Sequence, residues 1–289
     1  MKNKAWILPL LLLCAVLGSL FLMWELLFSP ALIVEPPPVI EMPTPTLPVL
    51  PPAPPPDPPV VADPVVMDRF LELYEQNNDL VGWVQVPGTN IDYPVVYCSD
   101  NAFYLKHNFD REYSPSGIPF LDKDANLLTS NQSLSLYGHH RRNGTMFSAL
   151  HKYKKLSHYQ QYPTFVFDSL YEEGTYKIFS VFYMAGNQSD KQFYYYPVSN
   201  FPDEAAFMAH VAQLQKRSIF QTDIDVAPGD QLVLLTCCTY EVDNLRLIVA
   251  GRKVRPGEDA TVSTENVTLN PAPLYPQKWY DTLGGKPPA

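Results

Sequence analysis

Fourteen prolines lie between Pro36 and Pro64, and no other feature limits so sharply what this chain can fold into. Proline fixes φ and lacks the N–H that helices and central strands use, so a segment this dense in it belongs to neither. It reads as a semi-rigid polyproline-type spacer, roughly 90 Å long if extended at about 3.1 Å per residue. A Pro-rich ligand for a binding module is the alternative reading. Position favours the spacer, because an apolar segment comes just before it.

From Ala5 to Trp24 there are twenty residues without a charge, and the apolar character continues past Glu25 to Phe28. That length is enough to cross a bilayer core as a helix. Lys2 and Lys4 precede it while Glu25 and Glu35 follow, so the positive-inside bias places the N-terminus in the cytoplasm and the rest outside. A cleaved signal peptide shares the charged start, but its apolar core is usually shorter, and a retained anchor is the expectation. The organisation expected is therefore a cytoplasmic N-terminus at 1–4, an anchor at 5–28 and an extracellular spacer at 29–64. A folded domain at 65–256 and a loosely ordered tail at 257–289 complete it.

Hydrophobic residues at 46% and aromatics at 13%, with 18 Tyr, are enough to build a core in the part that remains. A formal charge of −9 disfavours nucleic acid as a partner, since neutralising phosphates needs clustered Lys and Arg. Apolar residues at Met67, Phe70, Leu71 and Tyr74 have helical spacing, and the domain is expected to begin there. Short β-type runs follow at Val81–Val86, Ile91–Tyr97, Ser133–Tyr137, Thr164–Phe167, Tyr176–Ala185, Gln231–Cys238 and Arg246–Val254, punctuated by Gly, Pro, Asn and Asp. Such a series argues for a mainly β barrel or sandwich of seven or eight strands. Helical interruptions are expected at Met146–Tyr153 and, more extensively, from Asp203 to Arg217. The longer one has Asp203 as N-cap and Phe207, Val211 and Leu214 on one face.

Three elements carry chemistry. The run Leu232-Val-Leu-Leu-Thr-Cys-Cys-Thr-Tyr-Glu241 is an apolar strand ending in two thiols. Side chains alternate along a strand, so Cys237 and Cys238 point to opposite faces and at most one serves a given cleft. Taken alone, both could be ordinary strand residues. The run Leu134-Ser-Leu-Tyr-Gly-His-His-Arg-Arg-Asn-Gly-Thr-Met-Phe147 breaks from a strand into a glycine turn at His139 and His140. Histidine at such a turn can move a proton near neutral pH. Neighbours on a turn diverge, and no third ligand stands at zinc-site spacing, so no metal is expected. Arg246 opens the strand after the thiols. If the two strands pair antiparallel, it returns to the end that carries Cys238, where a permanent cation can steady an oxyanion.

These elements, in this order, resemble the sortases, and class B in particular. Leu235-Thr-Cys-Cys238 followed by Thr-Tyr-Glu is similar to the Leu-Ser-Thr-Cys-Thr-Tyr-Glu phrase of that class, a register that makes Cys238 the nucleophile. The competing register, ending the hallmark at Cys237, would make Cys237 the nucleophile. Tyr137-Gly-His-His-x-x-Asn-Gly-Thr-Met-Phe147 resembles the class B histidine signature, in which the His directly after Gly is catalytic, here His139. Further phrases of the class are Asn78-Asp-Leu-Val-Gly-Trp-Val, Thr89-Asn-Ile-Asp-Tyr-Pro-Val-Val96 and Asp100-Asn-x-x-Tyr-Leu105. The resemblance covers about residues 67 to 256. Cys98, Cys237 and the long spacer depart from it.

The resemblance implies a closed sortase-type β-barrel with an N-terminal helix, and with the helix at about 203–217 placed before the nucleophile strand. It implies a membrane-anchored extracellular transpeptidase that needs no cofactor. Cys238 would attack after a threonine in the C-terminal sorting motif of a secreted protein, with Arg246 on the oxyanion and His139 as acid and base. The acyl group would pass to an amine of a peptidoglycan precursor in a Gram-positive type of envelope. Thr236 and Thr239 flank the nucleophile as candidate substrate-binding residues. A cysteine hydrolase or pilin-polymerising enzyme would use the same residues, and a non-catalytic surface-binding barrel is the alternative from another class.

Overall fold

The computed structural model describes residues 65–125, 132–186 and 199–288. The segments read as cytoplasmic N-terminus, anchor and spacer lie outside the described residues. The first described element is helix α1, Asp68–Gln76. Only Phe70 of its expected apolar face is deeply buried, while Leu71 and Tyr74 are exposed. The helix sits over the barrel on a narrow stripe, Phe70 packing with Leu80 and Leu170.

Ten strands follow among the described residues: β1 (Leu80–Val86), β2 (Ile91–Val96), β3 (Phe120–Leu121), β4 (Ser133–Tyr137), β5 (Thr164–Ser169), β6 (Thr175–Ala185), β7 (Phe220–Gln221), β8 (Leu232–Cys238), β9 (Leu245–Lys253) and β10 (Thr268–Leu269). Eight of them close a barrel in the order β1-β2-β3-β4-β8-β9-β6-β5, as the expected mainly β closed barrel requires. The strand bounds agree with the sequence reading to within about two residues, except for β3, β7 and β10, which are too short to leave a periodic signal. Pro94 is tolerated inside β2 because its outer neighbour β3 pairs with β2 only through Val96 and Phe120.

Alternation along the strands divides the side chains. Val233, Leu235 and Cys237 of β8, with Leu247 and Val249 of β9, enter the barrel interior beside Leu136, Phe147 and Phe165. Leu232, Leu234, Ile248 and Ala250 face outwards and are covered by Phe207, Val211 and Leu214. Those three lie on a helix, Glu204–Arg217, that begins where expected, the Asp203 carboxylate accepting from Ala206 N at 2.7 Å. Chain-order numbering makes this helix α3, since a short α2 at Leu156–Gln161 precedes it. Before α2, the turn expected at Met146–Tyr153 is a 3₁₀ segment, Phe147–Lys154.

The tail expected to be loosely ordered is instead packed against the barrel. Glu258 pairs with Arg252 and Lys177, β10 pairs with β7, and helix α4 (Gln277–Leu283) follows. Trp279 packs at a tilt on Tyr183 and stacks on Tyr275, with ring centroids 4.7 and 4.5 Å away. Its anchoring residues, Val267, Tyr275, Trp279 and Tyr280, are scattered singly among polar residues and prolines. They leave no period in the sequence, and only the receiving barrel surface makes them cohere.

Candidate active site

The outward face of β8 and β9 is covered by α3 over Leu232, Leu234, Ile248 and Ala250, and α3 stops there. Beyond it the same face is open and carries Thr236, Cys238 and Arg246. Because β8 and β9 are antiparallel, Cys238 pairs in register with Arg246. The Arg246 Nη1 lies 3.6 Å from the Cys238 Sγ. Cys238 is exposed, whereas Cys237 is buried in the barrel core. Burial pushes the Cys237 thiol far above the ordinary cysteine range, which disfavours its thiolate.

Strand β4 brings the histidine. It runs parallel to β8, with Tyr137 opposite Thr236, and Gly138 N donates to Thr236 O at 3.1 Å. Parallel strands finish at the same end of a barrel, so His139 and Cys238 emerge on one rim. A glycine is needed at 138 because a Cβ there would come within 2.5 Å of Phe147 Cγ. Phe147 N in turn donates to His139 O at 3.0 Å, which pins the turn. The His139 Nε2 lies 2.8 Å from Leu105 O. A carbonyl only accepts, so Nε2 carries the hydrogen in this arrangement.

His139, Cys238 and Arg246 line one cavity of about 470 Å³. Its far wall is built around the buried Asp122, which accepts from Asn101 Nδ2 and Tyr137 Oη at 2.9 Å each. Thr236 also lines the cavity, and its buried hydroxyl has no hydrogen-bond partner among the described residues. Thr239 does not line it. One step past Cys238 the alternation turns its side chain inwards, where its hydroxyl donates to Glu241. The structure thus brings together four of the five expected site residues.

A clamp on the backbone behind Cys238 was not apparent in the sequence. The Cys238 carbonyl accepts from His140 Nδ1 and His151 Nε2, both at 3.1 Å, and the two rings stack 4.0 Å apart. Tyr240 packs on His140 and donates to its carbonyl at 2.5 Å. Burial lowers the affinity of both imidazoles for a proton, bringing His151 down to about 4, so both are neutral donors near pH 7. The His-His pair and the Thr-Tyr-Glu phrase were visible as letters, but His151 has no local signal that ties it to Cys238.

The sortase domain family matches residues 84–254. Sortase B of Listeria monocytogenes is 29% identical over 192 residues, which is 65% of this chain and 75% of that protein. Among solved structures, a Bacillus anthracis sortase B aligns with a TM-score of 0.60 at 29% identity, covering 66% of this chain and 86% of the other. A Staphylococcus aureus sortase B–substrate complex aligns with a TM-score of 0.59 at 27% identity, covering 66% and 87%.

Proposed function

The chain belongs to the sortase family, and we propose that it cleaves a C-terminal sorting motif after threonine with Cys238 and hands the acyl group to an amine of a peptidoglycan precursor. It is a cysteine transpeptidase similar to sortase B. The observation that carries the residue roles is the 3.6 Å approach of Arg246 Nη1 to Cys238 Sγ in a cavity that His139 also lines.

In the proposed reaction the Cys238 thiol gives its proton to His139 and the sulfur attacks the threonine carbonyl carbon. Charge develops on the carbonyl oxygen, where the Arg246 guanidinium stabilises it. The C–N bond breaks, and His139 returns the proton to the departing amine, leaving a thioester on Cys238. An incoming amine attacks that carbonyl, His139 takes its proton, and the proton passes back to the released thiolate. Each proton removed is thereby restored, so one histidine serves both halves. Thr236, with its unpartnered hydroxyl in the cavity wall, supports a contact to the sorting peptide; the placement of Thr239 supports a structural role instead. The substrate-bound Staphylococcus aureus relative supports a sorting peptide as the occupant. The apolar segment at 5–28 supports an anchored enzyme acting outside the membrane, and the spacer gives it reach.

The test is intact-mass measurement of the full chain, in non-ionic detergent, after incubation with a library of threonine-containing sorting peptides. A thioester is expected on the wild type and on Cys237→Ala, and none on Cys238→Ala. A thioester that persists in Cys238→Ala would sink the assignment. With an amine acceptor present, release of free acid alone would favour the hydrolase.

A further inference from the structure

The tail begins where the matched sortase domain, residues 84–254, ends, and it returns to the rim that carries the active site. Strand β9 runs from Leu245 beside the site to Lys253 at the far end of the barrel. From there the tail comes back along β6, whose pairing with β5 stops at Lys177. Past that point Ser218 and Ile219 bond to Val181 of β6, and Asn270 bonds to both of them, Nδ2 donating to Ser218 O at 2.7 Å and N to Ile219 O at 2.9 Å. Helix α4 is thereby delivered to the end of β6, where Trp279 packs on Tyr183.

Trp279 also reaches the loop between Cys238 and Arg246. Val242 is the one apolar side chain that the loop 239–244 buries, and it lies with Ala185 and Leu245 in a cluster against which Trp279 packs. Polar ties hold Tyr240 to His140 O and Glu241 to Lys154, so the apolar hold on this loop comes from the tail. At the neck, Thr239 N donates to Leu245 O at 3.1 Å, and Asn244 turns in the left-handed region at φ 62°, its carbonyl accepting from Gly186 N at 2.7 Å. Asn244 stands two residues before Arg246, so a shift of the loop passes along the backbone to the guanidinium. Removing the indole leaves a void beside Val242 into which the loop can settle.

We propose that Trp279 is a positioning residue for acylation: through Val242 it holds the loop 239–244 in the course that keeps Arg246 within 3.6 Å of the Cys238 sulfur. The proposal rests on the transpeptidase reading above and extends its machinery beyond the matched domain. A Trp279 that only fastened the tail would change stability without acting through Arg246.

The test uses the full chain in non-ionic detergent and the library peptide that acylates the wild type. In Trp279→Ala the rate of thioester formation at saturating peptide is expected to fall roughly ten- to a hundredfold, with the half-saturating peptide concentration within about threefold of wild type. Trp279→Phe, which keeps a ring against Val242, should restore most of the rate. In an Arg246→Ala background, Trp279→Ala should cost about twofold or less, because the group it positions is already gone. Hydrogen exchange at residues 239–246 should quicken roughly tenfold in Trp279→Ala. Melting curves establish folding; if Trp279→Ala does not fold, Val242→Ala is read in the same assays with the same expectations. Wild-type acylation in the folded variant, an undiminished loss in the Arg246→Ala background, or unchanged exchange in the loop would overturn the positioning role and leave the transpeptidase reading intact. Failure of the wild type to form any thioester on Cys238 would instead remove that reading, and the proposal with it.

Discussion

Replacing Arg246 by alanine separates catalysis from folding. The guanidinium lies 3.6 Å from the Cys238 sulfur, so in the proposed reaction the threonine carbonyl oxygen comes to lie beside it. At that separation, with an effective dielectric of about 20, the interaction between unit charges is roughly 4 to 5 kcal/mol. Loss of one oxyanion donor in a preorganised site costs about 2.7–4 kcal/mol, or about 10²–10³ in rate. The two figures agree in scale, and the second is the one to expect, since water partly replaces the lost cation. Arg246 makes no ion pair with a carboxylate among the described residues, so its removal disturbs the fold by about 0.5 kcal/mol or less, a melting shift of roughly 1–2 °C. Single-turnover thioester formation, followed by quenched intact-mass measurement alongside a melting curve, reads both effects. Arg246→Lys keeps the charge but not the planar fork and is expected to recover only part of the loss. A folded Arg246→Ala chain whose acylation stays within tenfold of wild type would refute a role for this cation at the oxyanion.

Gly138→Ala places a Cβ 2.5 Å from Phe147 Cγ, a core ring with 0% exposure. Overpacking of about 1–3 kcal/mol is expected, lowering the melting temperature by roughly 2–12 °C, and acylation should fall as His139 shifts. An unchanged melting curve would contradict this packing. Glu258 is held well below the usual carboxylate range, chiefly by hydrogen bonds from Arg252. The sign follows: the stability it contributes is present above the unfolded carboxyl's pKa of about 4.3 and is lost as the pH falls below it. Wild type should therefore lose stability on acidification below about pH 4.5 more steeply than Glu258→Gln. At neutral pH the variant should be less stable by about 3 kcal/mol or less, because Asp225 still stands 3.6 Å from Arg252. Equal slopes in acid denaturation would exclude Glu258 as a source of the pH dependence.

Local periodicity carried the reading where a strand is long enough to repeat. Leu232–Cys238 showed its alternation in the letters, and the opposite fates of Cys237 and Cys238 follow from it. The return of Arg246 beside Cys238 followed from one antiparallel turn. Strand β3 offers only Phe120 and Leu121, and two residues cannot display a period of two. Leu71 and Tyr74 fit a helical stripe, yet the barrel receives only Phe70 deeply, because the width of the buried face is set by the partner surface. The resemblance singled out His139 and not His140, but the placing of His140 and His151 on the Cys238 carbonyl depends on three segments meeting in space. In the tail, isolated aromatics at Tyr275 and Trp279 carry no pattern until Tyr183 is there to pack against.

The parallel pairing of β4 with β8 has a kinetic consequence. Gly138 and Thr236 are joined by a backbone hydrogen bond across nearly a hundred intervening residues. Closing so long a loop costs entropy before any ladder contact offsets it, and topologies dominated by such pairings form slowly. Until that seam zips shut, imidazole and thiol belong to separate hairpins and cannot cooperate. A partly folded chain thus holds the two side chains apart, and they come to share one cavity only with completion of the cylinder.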